Sequence, residues 1–90
     1  MTIQPQQIEK AIALAKDFGA TRLVLFGSAL VDLAQAHDLD LACDGVDGWE
    51  LYELGARIEE ELNTPLDLVP LSPPTRFSRY IERTGKVLLG

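Results

Sequence analysis

The sequence predicts a small α/β protein, a mixed β-sheet of about four strands with helices packed on it. Two observations predict this. Apolar residues recur at helical spacing in some segments and form short continuous runs in others, and the two kinds alternate along the whole chain. Turn formers, among them Gly19, Gly45, Gly48, Pro65 and Gly85, fall between the segments. Ninety residues are enough for one thin core, so residues 1–90 are expected to form a single domain.

The first helix runs from about Pro5 to Phe18. Pro5 suits a first helical position, Ile8, Ala11, Ile12, Ala15 and Phe18 form an apolar stripe, and Gly19 is a natural stop. Arg22 to Phe26 is a continuous apolar run between turn signals, which reads as a buried strand. A short helical turn follows Ser28, with Ala29, Leu30 and Leu33 as its weak apolar pattern. Asp38 to Cys43 is the second strand, with Leu39, Leu41 and Cys43 on the face opposite Asp38, Asp40 and Ala42. After the loop Asp44 to Gly48, a helix spans about Trp49 to Leu62, with Leu51, Leu54, Ile58 and Leu62 at helical spacing. Asn63-Thr64-Pro65 breaks it, and Leu66 to Leu71 is the third strand. Ser72-Pro73-Pro74 introduces a last helix to about Thr84, and Lys86 to Leu89 is a short final strand.

Composition narrows the function classes. A hydrophobic content of 47% with 24% charged residues argues against disorder. The N-terminus lacks the basic and apolar regions of a signal peptide, and the apolar stretch near Leu23 to Val31 is too short to span a bilayer. A lone Cys43 cannot form an internal disulfide, so the expected location is the reducing cytoplasm. The net charge of −6 disfavours direct nucleic-acid binding. Between Leu23 and Thr75 there are eleven acidic residues and one basic residue, Arg57, whereas Arg76, Arg79, Arg83 and Lys86 crowd the end. That distribution suits a protein that holds cations and docks a partner.

The residues that carry chemistry are Gly27 and Ser28 at the end of one strand and Asp38 and Asp40 at the next, nine residues later. A Gly-Ser turn lets backbone N–H groups and a hydroxyl approach phosphate, and it can equally be a plain strand-to-helix turn with Ser28 as cap. Aspartates spaced i, i+2 on a strand share a face, where they repel each other unless a cation lies between them. Their hard oxygens suit Mg²⁺, which also takes substrate phosphates as ligands. Asp67, mid-strand between Leu66 and Leu68, is the candidate third carboxylate. Three carboxylates around Mg²⁺ can stabilise attacking and leaving oxygens in an in-line displacement at phosphorus. The bland readings are solvent-facing strand positions for all three.

Gly27-Ser28, Asp38-Leu39-Asp40 and Asp67 in Leu66-Asp67-Leu68-Val69, with the tail Arg83-Thr84-Gly85-Lys86-Val87-Leu88-Leu89, resemble the minimal nucleotidyltransferase domains of the DNA polymerase beta superfamily. The likeness covers nearly the whole chain. It implies a polymerase-beta-like fold and a Mg²⁺-dependent protein adenylyltransferase that moves AMP from ATP to a hydroxyl and releases pyrophosphate. Gly27 and Ser28 would cradle the triphosphate, Asp38, Asp40 and Asp67 would hold Mg²⁺, and Asp67 would help deprotonate the attacking hydroxyl. Such domains are often antitoxins that pair, as hetero-oligomers, with a HEPN ribonuclease toxin and adenylylate a tyrosine near its active site.

The chain departs from common members at Ala29-Leu30-Val31-Asp32, where they carry basic residues and another glycine. Its spacing from Gly-Ser to the first aspartate is one residue shorter than the commonest form. The departure keeps open a catalytically degenerate module that neutralises its partner by binding alone, and a sensing domain with no toxin. Arg76 or Arg79 could restore positive charge, or simply form a solvated face. His37 could orient a carboxylate or contact phosphate, or be an ordinary loop residue. Trp49 could stack on a base, pack, or meet a partner, and Glu59-Glu60-Glu61 reads most simply as a solvated helix end.

Overall fold

The computed structural model describes residues 3–32, 35–36 and 38–90. His37 and Leu33, both given roles above, lie outside the described residues. The elements are α1 (Pro5–Asp17), β1 (Arg22–Phe26), α2 (Ser28–Val31), β2 (Leu39–Asp44), α3 (Gly48–Leu62), β3 (Leu66–Pro70), α4 (Arg76–Thr84) and β4 (Lys86–Leu89). Their order is the one the apolar periodicity predicts. Boundaries differ by a residue or two, most usefully at β2, which starts after Asp38 rather than on it.

The four strands form one mixed sheet in the order β3-β2-β1-β4. β1 is antiparallel to both β2 and β4, while β2 and β3 are parallel and joined through α3. A parallel pair needs such a crossover, because its strands must run the same way. α3 stops at Asn63, which takes a left-handed conformation at φ 50. The Leu62 carbonyl, near the end of the helix, accepts from Thr64 Oγ1 at 3.0 Å and from Gln7 Nε2 of α1 at 2.9 Å. One break in the sequence therefore ends a helix and ties two helices together.

Alternation along the strands divides the apolar residues between two faces. On one face Leu23, Leu25, Leu39, Leu41 and Cys43 pack with Ala11 and Ala15 of α1 and with Leu54, Ile58 and Leu62 of α3. On the other, Val24 and Ala42 pack with Leu71, just after β3, and with Ile81 of α4, flanked by Phe26 and Val69. Full burial of each Leu or Ile stabilises by about 1.5–3 kcal/mol, so the first face carries most of the core. The second face is thinly covered, and the carboxylates lie there. Cys43 is buried as expected, and burial pushes its thiol up to about 11, leaving a packing residue and not a nucleophile. No helix among the described residues is long and apolar enough to cross a membrane.

Candidate functional site

Register brings the site residues together. Asp40 sits opposite Phe26 of β1 and, on its other side, opposite Asp67 of β3. Paired residues on neighbouring strands point to the same face, so Asp40 and Asp67 project together beside Ala42 and Val69. Asp38, exposed just before β2, is close enough for its charge to be felt at Asp40. The Asp40 carboxyl is raised above its ordinary value, first by partial burial and then by the like charges of Asp67 and Asp38. Among the described residues no hydrogen bond or ion pair engages the three carboxylates, since the two ion pairs are Lys10–Glu61 and Arg22–Glu82.

Gly27 follows Phe26 and has backbone angles of φ 79 and ψ −156, a region open essentially to glycine alone. A Cβ built there would collide with Asp40 Oδ2, so the turn lies directly against the carboxylate. Ser28 is the first residue of α2, with Gly27 in the cap position and no side-chain capping bond. The reading of Ser28 as N-cap is therefore corrected, because the positive φ that the turn needs falls one residue earlier. Ser28 and Asp38 line a common open hollow of about 410 Å³ with Asp32, so the negative charge of Asp32 does face this region. Arg76 and Arg79 are exposed on α4 and make no ion pair among the described residues.

The donor set fits Mg²⁺ in a particular way. Among the described residues no three acidic, thiol or imidazole groups form a ready-made ion cage. The Asp40–Asp67 pair with Asp38 nearby is instead what a magnesium site usually offers, one or two carboxylates completed by water and substrate phosphates. Asp40 and Asp67 repel each other, and a divalent cation would relieve that repulsion.

No family model matches the sequence, and no curated protein does. Solved structures do. A chain of the toxin–antitoxin complex MntA–HepT matches with TM-score 0.75 at 26% identity, over 97% of this chain and 73% of that one. The MNT antitoxins share this mixed sheet and its helices. This chain has the fold of an MNT antitoxin of HEPN–MNT pairs. A chain of a toxin–antitoxin structure with AMP-PNP matches with TM-score 0.78 at 27% identity, over 92% of this chain and 73% of that one. The complex of a tri-AMPylated Shewanella oneidensis HEPN toxin with its MNT antitoxin matches with TM-score 0.75 at 25% identity, over 94% and 71%.

Two features escaped the sequence reading. Glu59, taken as part of a solvated helix end, accepts a hydrogen bond from the Leu66 N–H of β3 at 3.1 Å. Tyr52, with Glu59 and Asp67, lines a hollow of about 290 Å³ between α3 and β3. The helical spacing of Tyr52, Ala56 and Glu59 was the available signal, but it needed the knowledge that β3 runs alongside.

Proposed function

We propose that the chain is a Mg²⁺-dependent protein adenylyltransferase, the antitoxin of a HEPN ribonuclease toxin, that moves AMP from ATP to a tyrosine hydroxyl of that toxin. The observation that carries the reading is the Asp40–Asp67 pair, in register on parallel strands, with the glycine turn pressed against Asp40. The relatives add support. One was crystallised with AMP-PNP, and another is an MNT antitoxin bound to a tri-AMPylated toxin.

In this reading Asp38, Asp40 and Asp67 hold the cation, which when bound offsets charge on the phosphates and on the carboxylates. The backbone at Gly27 and Ser28 approaches the triphosphate, since no side chain at Gly27 intervenes. Asp67, the most exposed of the pair, takes the proton of the acceptor hydroxyl. The hydroxyl oxygen then bonds to the α-phosphorus, the bond to the β-phosphate bridging oxygen breaks, and pyrophosphate leaves with the electron pair. Holding these groups in line is most of the catalysis such a small scaffold must supply.

One observation favours the second reading, binding without transfer: Asp32, not a basic residue, shares the hollow with Ser28 and Asp38. A single assay separates the two. The protein is incubated with Mg²⁺, ATP labelled at the α-phosphate and a lysate of its own host, beside an Asp38→Asn/Asp40→Asn control. Label on a distinct protein band, absent from the control, is the expected result. No labelled band, despite a partner captured by pull-down, would leave contact alone as the neutralising mechanism.

A further inference from the structure

Among the described residues the exposed aromatic rings are Trp49, Tyr52, Phe77 and Tyr80. Trp49 and Tyr52 belong to α3, which covers the sheet face opposite the carboxylates, and they stack on one another with centroids 5.6 Å apart. The Tyr80 ring carries the Arg83 guanidinium at 5.9 Å. Phe77, in the first turn of α4, is placed differently. It is 55% exposed and meets Phe26 edge-to-face, with centroids 5.8 Å apart and planes at 86°. Phe26 stands opposite Asp40, and Asp40 opposite Asp67, so register sets these three side chains in one row on one face. Neighbouring strands lie about 4.8 Å apart, which puts the Phe26–Phe77 wall beside Asp40 and about two strand widths from Asp67.

We propose that the exposed ring of Phe77 is the platform on which the purine base of the nucleotide substrate stacks. The inference deepens the transferase reading and rests on its nucleotide, but not on transfer taking place. The two ends of the row select the base over the aromatic ring of the acceptor. Gly27, given to the phosphates above, directly follows Phe26, whereas Asp67, given to the acceptor hydroxyl, stands at the far end. A base is joined to its phosphates through a single ribose, so it belongs on the Gly27 side, with the wall. Phe26 steadies the Phe77 ring from one side while more than half of Phe77 stays open to a ligand. An aromatic face attracts any base by stacking, and a two-ring purine offers it the larger area. The stacking role that the sequence left open to Trp49 passes to Phe77, because α3 holds Trp49 on the other side of the sheet.

The probes are AMP-PNP, a non-hydrolysable ATP analogue, and inorganic tripolyphosphate, which has the phosphates but no base. Each is titrated with Mg²⁺ into the protein and followed by calorimetry. Phe77→Leu keeps an apolar side chain against Phe26. It should weaken AMP-PNP binding about tenfold, within the range for stacking one base, and leave tripolyphosphate binding unchanged. Phe77→Tyr should retain the parent's affinity, and all variants should keep the parent's circular dichroism spectrum. Asp38→Asn/Asp40→Asn should weaken both ligands, which separates the phosphate end from the base platform. Trp49 is the sole tryptophan, so Trp49→Phe/Phe77→Trp moves the fluorophore onto α4. There AMP-PNP should quench emission saturably and tripolyphosphate should not. Equal losses of both ligands in Phe77→Leu, an unaltered AMP-PNP affinity, or an emission unmoved by bound AMP-PNP would overturn the platform. A parent that binds neither ligand would overturn the platform and the nucleotide reading together. The expected binding pattern without any label transferred to protein would overturn transfer and leave the platform standing.

Discussion

Asp40 carries a half-buried carboxylate in the middle of the sheet, with Phe26 across one ladder and Asp67 across the other. Burial and two like charges raise its pKa above the ordinary 3.8, so the folded protein holds this proton to higher pH than the unfolded chain does. The linkage has a definite sign. Between 3.8 and the raised value the native state binds more protons, so stability falls as pH rises through that window and stays lowered above it. Asn has the same shape and no charge. In the absence of divalent cations, Asp40→Asn is therefore expected to melt at a higher temperature than the parent at neutral pH, with the difference vanishing in acid. Thermal melts of both proteins across pH would check this, and parallel pH profiles would contradict it. A residue that lowers stability in isolation is what a site built for a bound cation requires.

At the scale of elements, the turn from β1 into α2 sets the distance between the Gly27–Ser28 backbone and the carboxylates. Gly27 meets two constraints there, a backbone region closed to side chains and the carboxylate of Asp40 where a Cβ would go. Gly27→Ala is expected to cost about 1–3 kcal/mol in backbone strain alone. For a domain of this size that is a melting temperature lower by about 4–8 °C per kcal/mol, read from the loss of helical dichroism. An unchanged melting temperature would mean that the turn has another conformation. Much of the element pattern was legible beforehand, because buried strands such as Arg22–Phe26 and amphipathic helices such as α3 announce themselves through local periodicity. The positions of Gly27, Asp40 and Asp67 on their elements could be read the same way. That Asp40 and Asp67 face each other in register could not, since pairing between β2 and β3 depends on a crossover far longer than any local window. The bond from Leu66 to Glu59 was invisible for the same reason.

For the whole molecule, eight basic residues against fourteen acidic ones leave a net charge of −6, most of it between β1 and α4. Self-repulsion of that kind is screened by any salt, so rising NaCl alone should stabilise the fold modestly. A bound cation acts differently, because it binds the folded state at one place and stabilises in proportion to its saturation. The two contributions separate when MgCl₂ and NaCl are compared at equal ionic strength. The expected outcome is a higher melting temperature in MgCl₂, with the excess absent in Asp38→Asn/Asp40→Asn while the shared salt effect remains. Adding a non-hydrolysable ATP analogue should enlarge the excess, because phosphate oxygens complete the coordination that two or three carboxylates leave open. An equal response to the two salts, or an excess that survives the double substitution, would remove the carboxylate pair as the cation's seat.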